Sequence, residues 1–102
     1  MTNSYKGNPV FLDVFTSAID LRSHLGLPEG APLKLLSIEW AYPSTVNHTA
    51  LITDKAGGRA IFKEICFVAK QPIEKPFNGE YVDNLYIAAN GVQSGAIFIL
   101  LG

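Results

Sequence analysis

Apolar and polar residues alternate along most of this chain, and the alternation has the two-residue period of strands rather than the longer period of helices. LKLLSIEWAY (33–42) sets Leu36, Ile38, Trp40 and Tyr42 against Leu35, Ser37 and Glu39, as a half-buried strand requires. VFLDVF (10–15) places Val10, Leu12 and Val14 on one side and Phe11 and Phe15 on the other. HTALITD (48–54) and AIFKEICFVA (60–69) read as two more strands, joined as a hairpin through Gly57-Gly58. KQPIEKPFNG, with its two prolines, is expected to cross over to a strand at EYVDNLYIAA (80–89). NGVQSG is then expected to turn that strand back into AIFILL. One segment breaks the pattern. Ala18, Leu21 and Leu25 recur at helical spacing between Ser17, with Asp20 as its capping partner, and Gly26, which predicts a short helix over residues 17–26.

About six strands with Gly, Pro and Asn turns predict a mainly β fold, an antiparallel β-sandwich with one short helical insertion near residues 17–26. A small closed barrel is the second arrangement. Residues 1–9 read as a polar arm that is ordered only when something holds it, and 10–102 as a single domain.

The last strand raises its own question. No charged residue follows Asp83, and AIFILL is apolar on both sides. As an exposed edge it would invite aggregation, so it is expected to lie inside its sheet or to seal a subunit interface. Composition points the same way. Hydrophobic residues make up 48% of the chain and charged residues only 17%, against about a quarter in an average soluble domain. The deficit predicts a surface covered in part by further copies or by a larger assembly. Eight Lys and Arg against nine Asp and Glu, without a basic run, provide no clustered positive face for nucleic acid. No apolar run reaches the ~18 residues of a membrane span. MTNSYKGNPV lacks the apolar core of a signal peptide, and the single Cys66 fits a reducing compartment, so synthesis in the cytoplasm is expected.

Candidate chemistry is sparse. His24, His48 and Cys66 are too scattered for a zinc site, and no metal or cofactor is expected. Cys66 and His48 could formally face each other across the hairpin, but Cys66 has apolar neighbours and reads as a structural thiol. Glu39, Asp54, Glu64 and Asp83 read as solvated strand carboxylates rather than a converging pair. Gly57-Gly58 lacks the Lys-Ser/Thr of a phosphate loop, and Asn47-His48-Thr49 matches a glycosylation sequon without a secretion signal. Trp40 and Tyr42 read as core residues rather than a stacking platform. The chain is therefore not expected to be an enzyme.

From Leu33 onward, the hairpin LITDKAGGRAIF, the segment PIEKPFNGEYVDNLYI and the ending AIFILLG together resemble the small β-sandwich proteins encoded among the structural genes of tailed bacteriophages. Those proteins serve as capsid decoration (cement) or other virion accessory subunits. The resemblance implies a non-enzymatic virion protein that acts by self-association and adhesion. It implies a homo-oligomer, with a trimer favoured, held on the major capsid or another virion protein. The expected contact residues are Tyr5 and Lys6 of the arm, then Pro72, Ile73, Pro76 and Phe77, then Ile97, Ile99 and Leu101 of the last strand. The alternative is a carbohydrate- or host-surface-binding module that uses Trp40, Tyr42, Tyr81 and Tyr86, with two rings on one exposed, coplanar face.

Overall fold

The computed structural model describes residues 3–5, 9–28 and 32–102. Among them the chain forms eight strands and one helix: β1 (Val10–Leu12), β2 (Ile19–Asp20), α1 (Leu21–Leu25), β3 (Leu33–Ala41), β4 (Thr49–Thr53), β5 (Ala60–Ile65), β6 (Ile73–Val82), β7 (Tyr86–Ile87) and β8 (Ala96–Leu101). Two four-stranded antiparallel sheets result, ordered β1-β8-β3-β6 and β2-β7-β4-β5. Buried side chains from both sheets form one apolar cluster, with Leu12, Ile38, Trp40, Ile97 and Ile99 from the first and Ile19, Ile52, Phe62 and Ile87 from the second.

The mainly β, antiparallel reading holds, but there are eight strands rather than about six. The difference lies in the connections. Only β4 and β5 are sequence neighbours paired in one sheet; elsewhere the chain keeps moving between sheets. The hairpin through Gly57-Gly58 is therefore present, whereas NGVQSG links β7 to β8 across two sheets and is not a hairpin turn. The expected strand over 80–89 is divided, its start ending β6 and Tyr86–Ile87 forming β7. KQPIEKPFNG does not merely cross over. From Ile73 it belongs to β6, the longest strand, and Pro76 is tolerated there because β6 is an edge that needs no N–H at every position.

Local signals explain the other departures. In β3 the register shifts between Leu35 and Ser37 against both neighbours: against β8 Leu36 is an extra residue in a bulge, and against β6 it stands opposite Phe77, Asn78 and Gly79. The bulge reverses the alternation: Leu33 and Leu35 are buried before it, Ile38 and Trp40 after it. Leu35 thus shares the inner face that strict alternation denied it. The helix is shorter than 17–26 and begins later. Ile19 is drawn into the second sheet opposite Ile87, so Asp20, not Ser17, caps α1 by accepting from Ser23 N at 3.2 Å. Gly26 ends the helix as expected, with a left-handed φ of 73° and its N–H turned back to Arg22 and Ser23.

The last strand is internal, one of the two outcomes expected for it. β8 lies between β1 and β3, and Ile97 and Ile99 are fully buried.

Candidate interaction surface

Because β8 is apolar on both sides, burying Ile97 and Ile99 turns Phe98 and Leu100 to the opposite, outer face of the first sheet. Phe11 is paired with Phe98 there, the ring centroids 5.0 Å apart and tilted by 60°. Across β8 the same row continues to Glu39 of β3 and then to Glu74 of β6, two carboxylate residues in direct register. Leu100 lies opposite Ser37 in the next row. Phe11, Phe98 and Leu100 are only half-buried. An aromatic and aliphatic stripe on β1 and β8 thus borders an acidic stripe on β3 and β6.

Two open depressions flank Phe98. One, of about 220 Å³, is bounded by Pro9, Ser37, Glu39, Glu74, Phe98 and Leu100. The other, of about 400 Å³, is bounded by Phe11, Asp13, Tyr42, Gly95, Ala96 and Phe98. Gly95 is required at its place: φ is 78°, and a Cβ would stand 2.5 Å from the Ala41 carbonyl oxygen. That close approach is reinforced by Trp40 Nε1–H, which donates to the Ser94 carbonyl at 2.7 Å.

Tyr42 corrects the sequence reading. It is 69% exposed rather than core, because its φ of 55° turns the chain out of the β3 alternation. Trp40 is fully buried, as expected. Of the other aromatic candidates, Tyr86 is half-buried and Tyr81 is exposed. Tyr81 pairs with Lys34 at the start of β3, whereas Tyr42 follows its end, about 25 Å away along the strand. The two exposed rings do not form one platform.

The arm is held. Ser4 bridges Phe11, and the Asn3 side chain closes the end of β1, its Oδ1 accepting from Asp13 N at 2.8 Å and Val14 N at 2.9 Å. Tyr5 stacks on His24, with centroids 4.2 Å apart and planes within 5°. Lys6 lies outside the described residues. Asn3 was invisible to sequence reasoning because a lone Asn in a polar stretch carries no periodic signal.

The remaining expected contact residues separate into groups. Pro72 and Ile73 join exposed Phe67 and Val68 around a third hollow, which Gln71 and Glu74 also line. Pro76 is exposed on β6, and Phe77 is half-buried beneath the Lys75 ammonium, 5.2 Å from its ring centroid. Ile97 and Ile99 belong to the chain's own core and present no surface to a partner, a consequence of β8 burying its odd-numbered residues. Leu101 is half-buried.

His24, His48, Asp54 and Cys66, four of the candidate chemistry residues, have structural partners. His48 Nδ1 lies 2.9 Å from Ser94 Oγ, while the buried Cys66 thiol donates to the Val68 carbonyl at 3.4 Å, so the two side chains turn to different partners. Asp54 Oδ1 accepts from Arg59 N at 2.9 Å within the hairpin. Asn84, buried near α1, accepts on Oδ1 from Arg22 N and Leu85 N and donates to Asp20 Oδ1 at 2.7 Å. That bond, helped by Ser23 N–H, Arg22 and His24, holds the Asp20 carboxyl below its usual range against the opposing effect of partial burial. Among the described residues no group of three or more His, Cys, Asp or Glu is placed to hold a metal ion, and no helix is long and apolar enough to cross a membrane.

No family model, curated protein or solved structure matches this chain.

Proposed function

We propose that this chain is a non-enzymatic structural subunit of a tailed-bacteriophage particle, a capsid decoration (cement) or related head or tail accessory protein. Its two sheets pack as a β-sandwich, and it acts by self-association and by adhesion to the major capsid or another virion protein. One observation supports this reading above the rest: β8 is apolar on its outer side as well as its inner side, leaving Phe98 and Leu100 beside Phe11 on an open face. A strand covered by one chain on only one side has no need of that second apolar row, whereas a strand covered on both sides does.

Light scattering at micromolar concentration tests the proposal. The expected result is a discrete oligomer that Leu100→Glu converts to monomers while the spectrum of the folded chain is retained. A wild-type chain that remains monomeric, alone and when mixed with purified phage particles lacking their accessory proteins, would rule the proposal out.

A further inference from the structure

The larger depression on the outer face of the first sheet has an unusual composition. Phe11, Phe98 and Tyr42 supply aromatic walls, and its one charged residue is Asp13. One oxygen of that carboxylate, Oδ1, is buried and has no hydrogen-bond partner. A carboxylate oxygen removed from water without a donor is unfavourable, so the carboxylate as a whole gains when a cation comes to rest beside it. Tyr42 adds a second cost without a return inside the fold. A bulky residue at positive φ is strained, yet this ring stays largely in solvent at the rim. Glu39 and Glu74, in direct register on the same face, add negative charge that their own pairing disfavours.

We propose that this depression receives the arginine side chain of a partner protein. A guanidinium plane stacks on aromatic faces, and its fork of N–H donors matches a carboxylate. It therefore answers both the rings and the half-buried carboxylate of Asp13, the one charge lining the hollow. An apolar insert would leave Asp13 without a donor, and a lysine ammonium would satisfy the carboxylate without stacking. This inference rests on the outer face being the adhesive one and names the chemistry that one end of it recognises.

The test is a titration of the full chain followed by amide correlation spectra, with N-acetyl-arginine amide as the probe. N-acetyl-lysine amide and N-acetyl-citrulline amide, the latter uncharged but nearly the same shape, are the comparisons. The expected result is saturable shifts at Asp13, Gly95, Ala96 and Phe98 with arginine, weaker by about tenfold or more with lysine and citrulline and in Asp13→Asn. Tyr42→Gly separates site from fold: removing the strained tyrosine raises the melting temperature while weakening arginine binding. Absence of saturable shifts, equal binding of citrulline or lysine, or unchanged binding by Asp13→Asn overturns the inference. Leu100→Glu leaves the depression intact, so it lowers the solution mass without altering the arginine titration. A mass that ignores Leu100→Glu removes the adhesive reading and with it the ground for a partner's arginine, whereas a failed titration beside a mass that responds removes the arginine site alone.

Discussion

The two sheets feed one core but differ on their outer sides. In β4 of the second sheet, Ala50 and Ile52 point inward, while Thr49, Leu51 and Thr53 point outward, with Leu51 paired to Lys63 of β5. Leu51, and Ile65 opposite Thr49, interrupt an outer side that is otherwise polar along β4. In β8 of the first sheet, Ile97 and Ile99 point inward, and the outward residues Phe98 and Leu100 are just as apolar. Inward residues report that the chain folds. Outward residues report what the folded chain meets: the second sheet exposes Leu51 and Ile65 among Thr49, Thr53 and Lys63, whereas the first sets Phe98 and Leu100 at consecutive outward positions of one strand beside Phe11.

The sharpest way to break this distinction is to compare neighbours. Ile99→Ala should cost about 3 kcal/mol through the cavity it leaves, and Leu100→Ala less than ~1 kcal/mol at protein concentrations too low for association. Urea denaturation checks both, and equal losses would mean that the two sides of β8 are not inner and outer. Asn84→Ala should follow at about 2 kcal/mol, since it leaves the Arg22 and Leu85 amides and Asp20 without their partner; the same denaturation series reads it. A charge on each outer face sharpens the contrast further. Leu51→Glu should leave the solution mass unchanged where Leu100→Glu lowers it, with stability shifts within about 1 kcal/mol for either.

The smallest effect is a pH dependence. Asp20 is held below its ordinary pKa of 3.8 in the folded chain, so the unfolded chain binds the proton more readily. The stabilisation is complete above the unfolded value and is lost as pH falls through the lower, folded one. Stability should therefore drop slightly more for the wild type than for Asp20→Asn between about pH 5 and about pH 3, as urea midpoints would record.

The sequence made the strand content, the β4–β5 hairpin, the limits of AIFILL and the Gly26 stop legible, because each has a local signal of period or turn chemistry. The sheet partners were not legible. Which sheet receives β7 or β8 is decided by contacts far apart in sequence, and NGVQSG looks the same whether it joins strands in one sheet or two. The Leu36 bulge was hidden because one inserted residue reverses the apparent faces without changing the composition. The outer stripe was only half visible. An uncharged ending could be read as needing cover, but Phe11 joined it through register alone, and the exposure of Tyr42 depends on a backbone angle that no residue type there announces.

The pairing of β1 with β8 also governs how this molecule comes into being. Val10 meets Ile99, so the contact closes a loop of roughly ninety residues before it gives any return, and every other strand pairing except β4–β5 joins residues more than about thirty apart in sequence. Such a chain has little to gain from stopping part-way. It should acquire its shape slowly, on the millisecond-to-second scale, in a single concerted event. Subunits would then reach any partner already finished, with the outer stripe assembled only when everything else is.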